Sequence, residues 1–436
     1  MQRAQSGQVL TLGVLVLFCL VGVVLHFYYV GQISIHSVRQ RHALDAATYS
    51  GAVLQSQSLN YAAYLNKAYA AHQIAMAHLI TMASWAQFAA NEAIRVNRAN
   101  PPASLIAMMF GPQHGVAYQA ATAAAATTGL AATDVLHRLF QQHQRYSSAL
   151  FAPHSVALYN ELPAQREWLI RQVLQANYPE FSFAENTEQL VLTIEEDQWQ
   201  HQLAWAPASS WRPWVQELTQ HYGFLQPRHY TAKNQWLVQA RCPHKRHELR
   251  RRGHTVLTEQ GQWQAQDTQA FHALRANRWI GCYFREYPMG WAWVEARSAT
   301  DSALVDQDQA PADFSQQDFW RWVQANTRWD IAEGSSNALS RAWALRDAVQ
   351  WQGQGLANYL MVAATPTQFS FKTHLRLRHA PEQPAVHSTS QAQSYFQRPV
   401  ARSDQLTEKN NLFHPFWQAR LIQSQWNARL QQLLGD

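Results

Sequence analysis

The chain has 436 residues, long enough for two or three domains, and 47% of them are hydrophobic, enough for a sizeable core. Its mean hydropathy is −0.36, which is typical of a largely water-soluble chain. The formal net charge is +6, from 35 basic and 29 acidic residues that are mixed along the chain except in the basic run 245–252. This pattern excludes the dense basic footprint of a nucleic-acid-binding protein, and no nucleic-acid partner is expected.

The N-terminus contains the longest uncharged apolar stretch of the chain, residues 9–30. Twenty apolar residues in a helix, at about 1.5 Å each, span a hydrocarbon core of roughly 30 Å. We therefore predict a short N-terminal segment at 1–8 and a single transmembrane anchor at 9–30, in contact with the lipid bilayer. The anchor residues singled out are Val9, Leu12, Val16, Leu20, Val24 and Val30.

A cleaved signal peptide is the alternative interpretation of this stretch. Signal peptides have an apolar region of roughly 7 to 15 residues and a small-x-small cleavage site. The stretch 9–30 is longer and ends in the bulky aromatic residues 27–29, which are typical of a membrane interface. An uncleaved anchor is favoured. Arg3 lies on one side and Arg39 and Arg41 on the other, so charge does not assign the orientation.

Residues 31–150 are predicted to form an Ala-rich helical region. Between 54 and 98, neutral or large side chains recur at gaps of three and four, which is typical of the packed seam of a helix. That predicted seam comprises Tyr61, Leu65, Ala68, His72, Ala75, Leu79, Met82 and Ala86.

Two proline breaks divide this region. Pro101 and Pro102 end the first helix, since proline lacks a backbone N–H and disfavours a helical residue before it. A second helix is predicted over 116–150, after Gly111 and Pro112. Short connections favour antiparallel neighbours, so we predict a helical hairpin with an Ala-lined core.

The remainder, 151–436, is predicted to be a soluble body. Helices are expected at 164–175, 319–328 and 412–434, strands at 189–195, 235–238, 278–285, 291–294 and 369–377, and a polar loop at 301–318. The fold class is therefore α+β: a single N-terminal transmembrane helix, an Ala-rich helical hairpin, and a mixed α/β body with mainly antiparallel strands.

The cysteines leave two alternatives open. Cys19 lies in the apolar stretch, where it is interpreted as a small hydrophobic residue. Cys242 and Cys282 lie in the soluble part and are candidates for a disulfide if that part faces an oxidising compartment. Two buried free thiols are the equally weighted alternative, because the sequence does not show how close the two residues lie.

No catalytic or metal-binding motif stands out, and we predict no catalytic residue, metal ligand or cofactor. Cys242, His244, His247 and His254 cluster, but a basic run repels a cation, and a solvated basic loop is favoured. His72 lies on the predicted seam and is interpreted as a core histidine. Nucleophile elbows and phosphate-binding loops are absent from the sequence. The chain is therefore not expected to be an enzyme.

Two motifs suggest a family. Gly7-Gln8 precedes the apolar stretch, and Asp45-Ala46-Ala47 followed by Gly51-Ala52 comes after it. In this order and spacing, they resemble the N-terminal region of TadE/TadG-like proteins of tight-adherence (Flp) pilus assembly. The resemblance covers about the first sixty residues, and residues 411–421 are similar to the tails of larger members.

The resemblance implies a non-enzymatic, single-pass protein of the bacterial inner membrane, with the N-terminus in the cytoplasm and the body in the periplasm. Its implied partners are other pilus or secretion assembly proteins in the inner membrane and a second copy of the chain. A periplasmic location favours the bond between Cys242 and Cys282. The resemblance also implies close helix packing at the small-residue segment, because Gly51 in a helix costs about 1 kcal/mol relative to Ala. A helix that flexes at Gly51 is the alternative.

Two departures from the family pattern limit what is carried over. Prepilin-type sequences have a glutamate five residues after the processed glycine, whereas Leu12 stands five residues after Gly7. This difference favours an anchor that stays attached. The D-x-S-x-S metal motif of larger members is absent from the sequence, so neither that domain nor its metal is expected.

Three functions are therefore weighed. The first is a structural or assembly component of a pilus or secretion apparatus. The second is a membrane-tethered periplasmic binding module for a glycan or peptide, suggested by the 18 tryptophans. The third, an anchored hydrolase, requires a catalytic constellation that only the fold could bring together.

Overall fold

The computed structural model describes residues 8–128, 130–278, 281–298, 337–363, 369–380 and 384–422. The helices are α1 (Gln8–Asn97), α2 (Ala103–Phe110), α3 (Pro112–Thr128), α4 (Leu130–Tyr146), α5 (Ala152–Asn177), α6 (Trp199–Gln202), α7 (Ala208–Leu218) and α8 (Ala338–Arg346). The strands are β1 (Leu190–Glu195), β2 (Leu203–Ala206), β3 (Tyr230–Lys233), β4 (Glu248–Leu257), β5 (Trp263–Asn277), β6 (Gly281–Arg297), β7 (Val349–Gln352), β8 (Tyr359–Val362), β9 (Phe369–Leu377), β10 (Val386–Phe396) and β11 (Trp417–Ile422).

The chain divides into two compact units. Unit 1 comprises Met1–Asn66, His154–Trp205 and Leu360–Asp436, and unit 2 comprises Lys67–Pro153 and Ala206–Tyr359. The boundaries of the two units differ from those of the predicted regions 31–150 and 151–436. Each unit combines segments that lie far apart in the sequence.

Helix α1 is continuous over 90 residues. It contains no proline that would remove a backbone hydrogen bond, and it ends at Asn97, shortly before the Pro101-Pro102 pair. The predicted anchor and the predicted helix over 54–98 are therefore parts of one element. Its residues up to 66 belong to unit 1, and those from 67 onward belong to unit 2.

For part of its length, the predicted seam of α1 follows the wrong face of the helix. Tyr61 and Met82 on that seam are each 46% exposed, whereas Asn66, Gln73 and Ser84 on the neighbouring face are buried. The buried face carries polar side chains that bond to other elements. The same face also buries Ala63, Ile74 and Ile80, which the predicted spacing of three and four does not include.

Unit 1 contains a four-stranded antiparallel sheet in the order β1-β9-β10-β11. Alternate residues of β9 point into a core that also contains Leu44 of α1 and Ile170 of α5. The predicted strands at 189–195 and 369–377 correspond to β1 and β9, and the predicted helix at 164–175 is the C-terminal part of the longer α5.

Unit 2 contains a five-stranded sheet in the order β3-β4-β5-β6-β7. The first three ladders are antiparallel, and only β6 and β7 run parallel. Helix α8 packs on β5 and β6. Helix α2 ends at Gly111, whose positive φ of 104° suits a glycine, and α3 begins at the following Pro112 and packs back on α2. A separate two-stranded sheet pairs β2 with β8.

Several predicted elements differ from the structure. The predicted strand at 235–238 is irregular chain, and the extended segment is β3, which lies just before it. The predicted helix at 412–434 is wrong where it is described, because residues 417–422 form β11 at the sheet edge. Within the single helix predicted over 116–150, the described residues belong to α3, to α4 and to a π-helical turn at Ser147–Phe151, and residue 129 lies outside the described residues.

Other predicted features are only partly described. Strand β6 combines the predicted strands at 278–285 and 291–294, with residues 279–280 outside the described chain. The predicted helix at 319–328, the predicted loop at 301–318 and residues 423–434 lie outside the described residues.

Where α4 meets α1, the side chains in contact are aromatic: the His143 and Tyr146 rings lie against His72.

Candidate functional site

The first part of α1 presents an apolar surface that the described chain does not cover. Its most apolar window has a mean hydropathy of 2.6 and is 0% buried, so by length and composition this helix is able to cross a membrane. Five predicted anchor residues have exposed side chains: Leu12, Val16, Leu20, Val24 and Val30. Val9 is helical, but its side chain lies outside the described set.

From Gln40 onward, α1 is attached to the sheet of unit 1 by buried polar side chains. The Gln40 side-chain amide donates to the carbonyl oxygens of Leu375 and Val386, each at 3.0 Å. About four helical turns further on, the Gln55 amide donates to the carbonyl of Phe369 at 2.7 Å. These bonds satisfy sheet carbonyls that packing against the helix removes from water, so each holds α1 in one register on the sheet.

Asn60 extends this attachment to the edge strand β11. Its amide nitrogen donates to the carbonyl of Trp417, and its amide oxygen accepts from the Trp417 backbone N–H, both at 2.9 Å. This reciprocal pair reproduces the bonding of one further strand residue. It covers part of a sheet edge that would otherwise be open.

The small-residue segment of α1, residues 45–52, lies at the contact with β10 and α5. Ala47 and Ala52 are fully buried, Ala46 faces solvent, and the Asp45 carboxylate accepts a 2.6 Å hydrogen bond from Ser390 Oγ. Gly51 faces α5. Of the remaining motif positions, Gln8 begins α1, and Gly7 lies outside the described residues.

Arg166 of α5 is a buried cation that the sequence reasoning missed. Its guanidinium is 1% exposed, donates to Gln55 Oε1, forms an ion pair with Asp197 and lies 4.2 Å from the centroid of the Phe371 ring. The signal available in the sequence was an arginine at the i, i+4 spacing of Leu162 and Ile170, which face the core. The guanidinium ties α5, α1 and β9 together.

Unit 2 has a cleft of about 420 Å³, here called the Pro101 cleft. Its apolar walls comprise Pro101, Pro102, Leu105, Met109, Phe271, Ala273 and Tyr287. Leu105 and Met109 are one helical turn apart on α2, and Phe271 lies opposite Tyr287 in the ladder between β5 and β6. The rings of Phe271 and Tyr287 are stacked, with their centroids 6.0 Å apart.

Three polar side chains complete the lining of the Pro101 cleft: Asn100, His247 and Arg275. His247 Nδ1 accepts the Leu274 backbone N–H at 2.8 Å, so the neutral ring carries its proton on Nε2. Burial, with a smaller effect of the Arg275 guanidinium, lowers the pKa of His247 below its usual 6.5 and keeps the ring neutral at pH 7. Arg275 is exposed, and no described carboxylate pairs with it.

Cys242 and Cys282 are joined by a disulfide, with their Cα atoms 6.1 Å apart. The bond packs against Leu274 and Phe284, on the strands that form the floor of the Pro101 cleft. Because the backbone of Leu274 holds the His247 ring, the disulfide braces the segment that positions this ring. Cys242 is therefore not a thiolate ligand, and the metal cluster weighed around it lacks that ligand.

Unit 2 also encloses several buried carboxylates, among them Asp267 and Glu92. Asp267 is 0% exposed and accepts bonds from the guanidinium groups of Arg228 and Arg251 and from Ser84 Oγ. Glu92 accepts a 3.0 Å bond from the Gln269 side chain. Burial raises the pKa of Glu92 to about 8, against a smaller opposing effect of Arg251.

The other side chains considered as candidates lie in different parts of the described structure. Within the described residues, no three His, Cys, Asp or Glu side chains lie together so as to hold a metal ion. His72 is half-buried, and its Nδ1 lies 2.8 Å from Nδ1 of His143, which is a pairing of two rings inside unit 2. The adjacent Glu195 and Glu196 are exposed and pair with His374 and Lys372.

No protein-family model, no curated protein and no solved structure matches the chain.

Proposed function

We propose that the chain is a membrane-anchored, non-enzymatic structural or assembly component of a Tad/Flp-type pilus or a related secretion apparatus. One observation carries the proposal: α1 is a single helix whose first part is apolar and exposed and whose continuation from Gln40 is bonded into the sheet of unit 1. A force or displacement on the membrane segment is therefore transmitted directly to a folded body.

The composition of the exposed part supports insertion in a bilayer. Exposed leucine, valine and phenylalanine side chains over 10–30 are unfavourable in water, and each fully buried one gains roughly 1.5–3 kcal/mol in an apolar environment. The small-residue segment after it supports the family assignment, since Ala47, Gly51 and Ala52 are used for close packing. In this proposal, the body faces the periplasm of a bacterium, and the anchor lies in the inner membrane.

The partners in this proposal are other assembly proteins of the same membrane and a second copy of the chain. A photo-crosslinking amino acid at Leu20, within the exposed apolar part, is expected to capture such partners in intact cells before extraction in mild detergent. The matched control keeps the crosslinker at position 20 and carries V16R and V24R, which disfavour insertion by about 2.5–3.5 kcal/mol per residue and are expected to abolish capture and membrane fractionation. Recovery of no pilus or secretion component from the unchanged anchor would contradict the proposal.

The sidedness is tested with the cysteines. In intact cells, a maleimide polymer is expected to label neither Cys242 nor Cys282 until a reductant is added, because a periplasmic body keeps them bonded. On a C19S background, no labelling of intact cells even with the reductant, together with labelling after lysis without it, would place the body in a reducing compartment.

A second candidate function is a membrane-tethered binding module for a peptide or glycan. The Pro101 cleft favours it, because an apolar, aromatic-walled concavity with a few convergent polar groups is the usual form of a ligand site. An anchored assembly protein can also carry such a site, so the two functions are compatible.

A further inference from the structure

The walls of the Pro101 cleft are mainly apolar and aromatic. The stacked rings of Phe271 and Tyr287 present an aromatic surface on the sheet, and Leu105 and Met109 of α2 face it with flexible apolar side chains. Clefts of roughly 300–1,000 Å³ with such walls bind ligands that bury an apolar group. The volume of about 420 Å³ falls in the lower part of that range.

The charged and neutral donors on the same lining favour an anion. Arg275 has five N–H donors and no acceptor, and His247, neutral with its proton on Nε2, adds one more N–H. No acidic side chain contributes to the lining, and none of the described carboxylates pairs with Arg275. A planar guanidinium pairs with a carboxylate through two parallel hydrogen bonds.

The third polar residue, Asn100, distinguishes a peptide from a simple acid. Its side chain is exposed at the cleft and offers both an N–H donor and a carbonyl acceptor, the complement of a peptide group. The lining thus presents an apolar surface, a cation and an amide within one concavity.

We propose that the Pro101 cleft binds the C-terminal carboxylate of a peptide whose last side chain is apolar or aromatic. The Arg275 guanidinium and His247 Nε2–H hold the carboxylate, the last side chain packs on Phe271 and Tyr287, and Asn100 pairs with the preceding peptide group. This site goes beyond the assembly role and does not depend on the anchor or on the pilus apparatus.

The test is isothermal titration of the full chain in mild detergent with acetyl-Ala-Ala-Phe as the free acid. The C-terminal amide of the same peptide removes only the charge, and 3-phenylpropionate retains the charge and the ring without peptide groups. We expect the free acid to bind at least about tenfold more tightly than the amide, since charge-assisted hydrogen bonds are roughly twice as strong as neutral ones. We expect the small acid to bind more weakly than the peptide acid.

The variant R275Q is expected to weaken binding of the peptide acid by about tenfold or more and to leave binding of the amide nearly unchanged. Arg275 is exposed, so this variant should fold, and an unchanged thermal unfolding midpoint verifies it. R278Q is the matched control, since Arg278 is an exposed arginine three residues away that does not line the cleft.

Three results would each overturn the proposal: equal affinities for acid and amide, equal effects of R275Q and R278Q, or no heat of binding with any of the three ligands. Binding of 3-phenylpropionate as tight as that of the peptide acid would overturn the peptide assignment. None of these outcomes bears on the crosslinking experiment at Leu20, so the two proposals fail separately.

Discussion

Gly51 of α1 and Ile170 of α5 lie in such close contact that a Cβ atom on Gly51 would stand 3.0 Å from Ile170 Cδ1. The same atom would lie 3.1 Å from Cγ of Arg166, the buried cation that joins three elements of unit 1. The missing side chain therefore sets the distance between the two helices. The intrinsic penalty of a helical glycine is offset here by packing.

We expect G51V to destabilise unit 1 by roughly 1–3 kcal/mol, because a branched side chain forces Ile170 or the helix axis to move. Urea unfolding of the full chain in detergent measures the change. G31V is the control: Gly31 is also in α1, but no heavy atom lies within 4 Å of its Cβ position. Equal losses for the two variants would show that the effect does not depend on the contact with Ile170 and would contradict the packing explanation, since valine has a higher helix propensity than glycine.

The buried carboxyl of Glu92 predicts a stability that falls as pH rises. An unfolded glutamate loses its proton near pH 4.5, whereas the folded one keeps it up to about pH 8. Between these values the folded state binds the additional proton, so the free energy of unfolding decreases with pH by up to about 1.4 kcal/mol per unit. Above pH 8 this contribution no longer changes.

The variant E92Q should reduce this slope, because glutamine accepts the bond from Gln269 and does not ionise, whereas Glu286, whose pKa is also raised by burial, keeps its own contribution. We expect E92Q to be more stable than the unchanged chain at pH 8 and closest to it at pH 5, measured by urea unfolding at each pH. E161Q, which replaces an exposed glutamate on α5, should keep the slope. A pH-independent free energy of unfolding in the unchanged chain would refute the assignment.

The ion cluster around Asp267 predicts that substitution of this residue lowers the free energy of unfolding more than substitution of Gly51 does. Two arginines bond to this fully buried carboxylate, with Arg228 at 3.0 and 3.1 Å and Arg251 at 3.2 Å. D267N leaves two guanidinium groups without their counter-charge and should cost about 3–5 kcal/mol of unfolding free energy. D404N breaks an exposed pair with Arg402 and should leave the unfolding midpoint unchanged.

Removal of the disulfide should loosen unit 2. The bond between Cys242 and Cys282 closes a loop with a sequence separation of 40. We expect the double variant C242A/C282A to lose roughly 2–4 kcal/mol of stability and to match the unchanged chain in the presence of a reductant. C19S should retain the full stability and its sensitivity to the reductant. Reductant-independent stability of the unchanged chain would show that the bond is not formed.

The sequence predicted the elements whose pattern is apolar and local. The apolar stretch 9–30, strands β1 and β9, the helix end before Pro101 and the break at Gly111-Pro112 follow from composition, alternation and backbone chemistry. Strand β5 was not predicted, although it is central in its sheet. Its buried residues include Asp267 and Gln269, so an alternation of apolar and polar residues does not mark its inward face.

The Pro101 cleft was not predictable for a different reason. Pro101 was recognised only as the end of a helix, and Phe271 and Tyr287 only as residues of the body. Their proximity depends on contacts between segments about 170 residues apart, and no local pattern encodes such a contact. Gly51 is intermediate: its cost in a helix predicted a packing role, but only the fold identifies Ile170 as the neighbour.

The discontinuous composition of unit 1 has a consequence for the order of synthesis. Of the four strands in its sheet, β1 alone precedes residue 369, whereas all segments of unit 2 have been synthesised by residue 359. Domains generally fold as units while the chain is made. Unit 2 is therefore the first to be completely synthesised. Gln40 and Gln55 of α1 can bond to their carbonyl partners only after the last segment of unit 1 has been made. A chain truncated before residue 369 would keep the apolar segment but lack the carbonyl partners of Gln40 and Gln55.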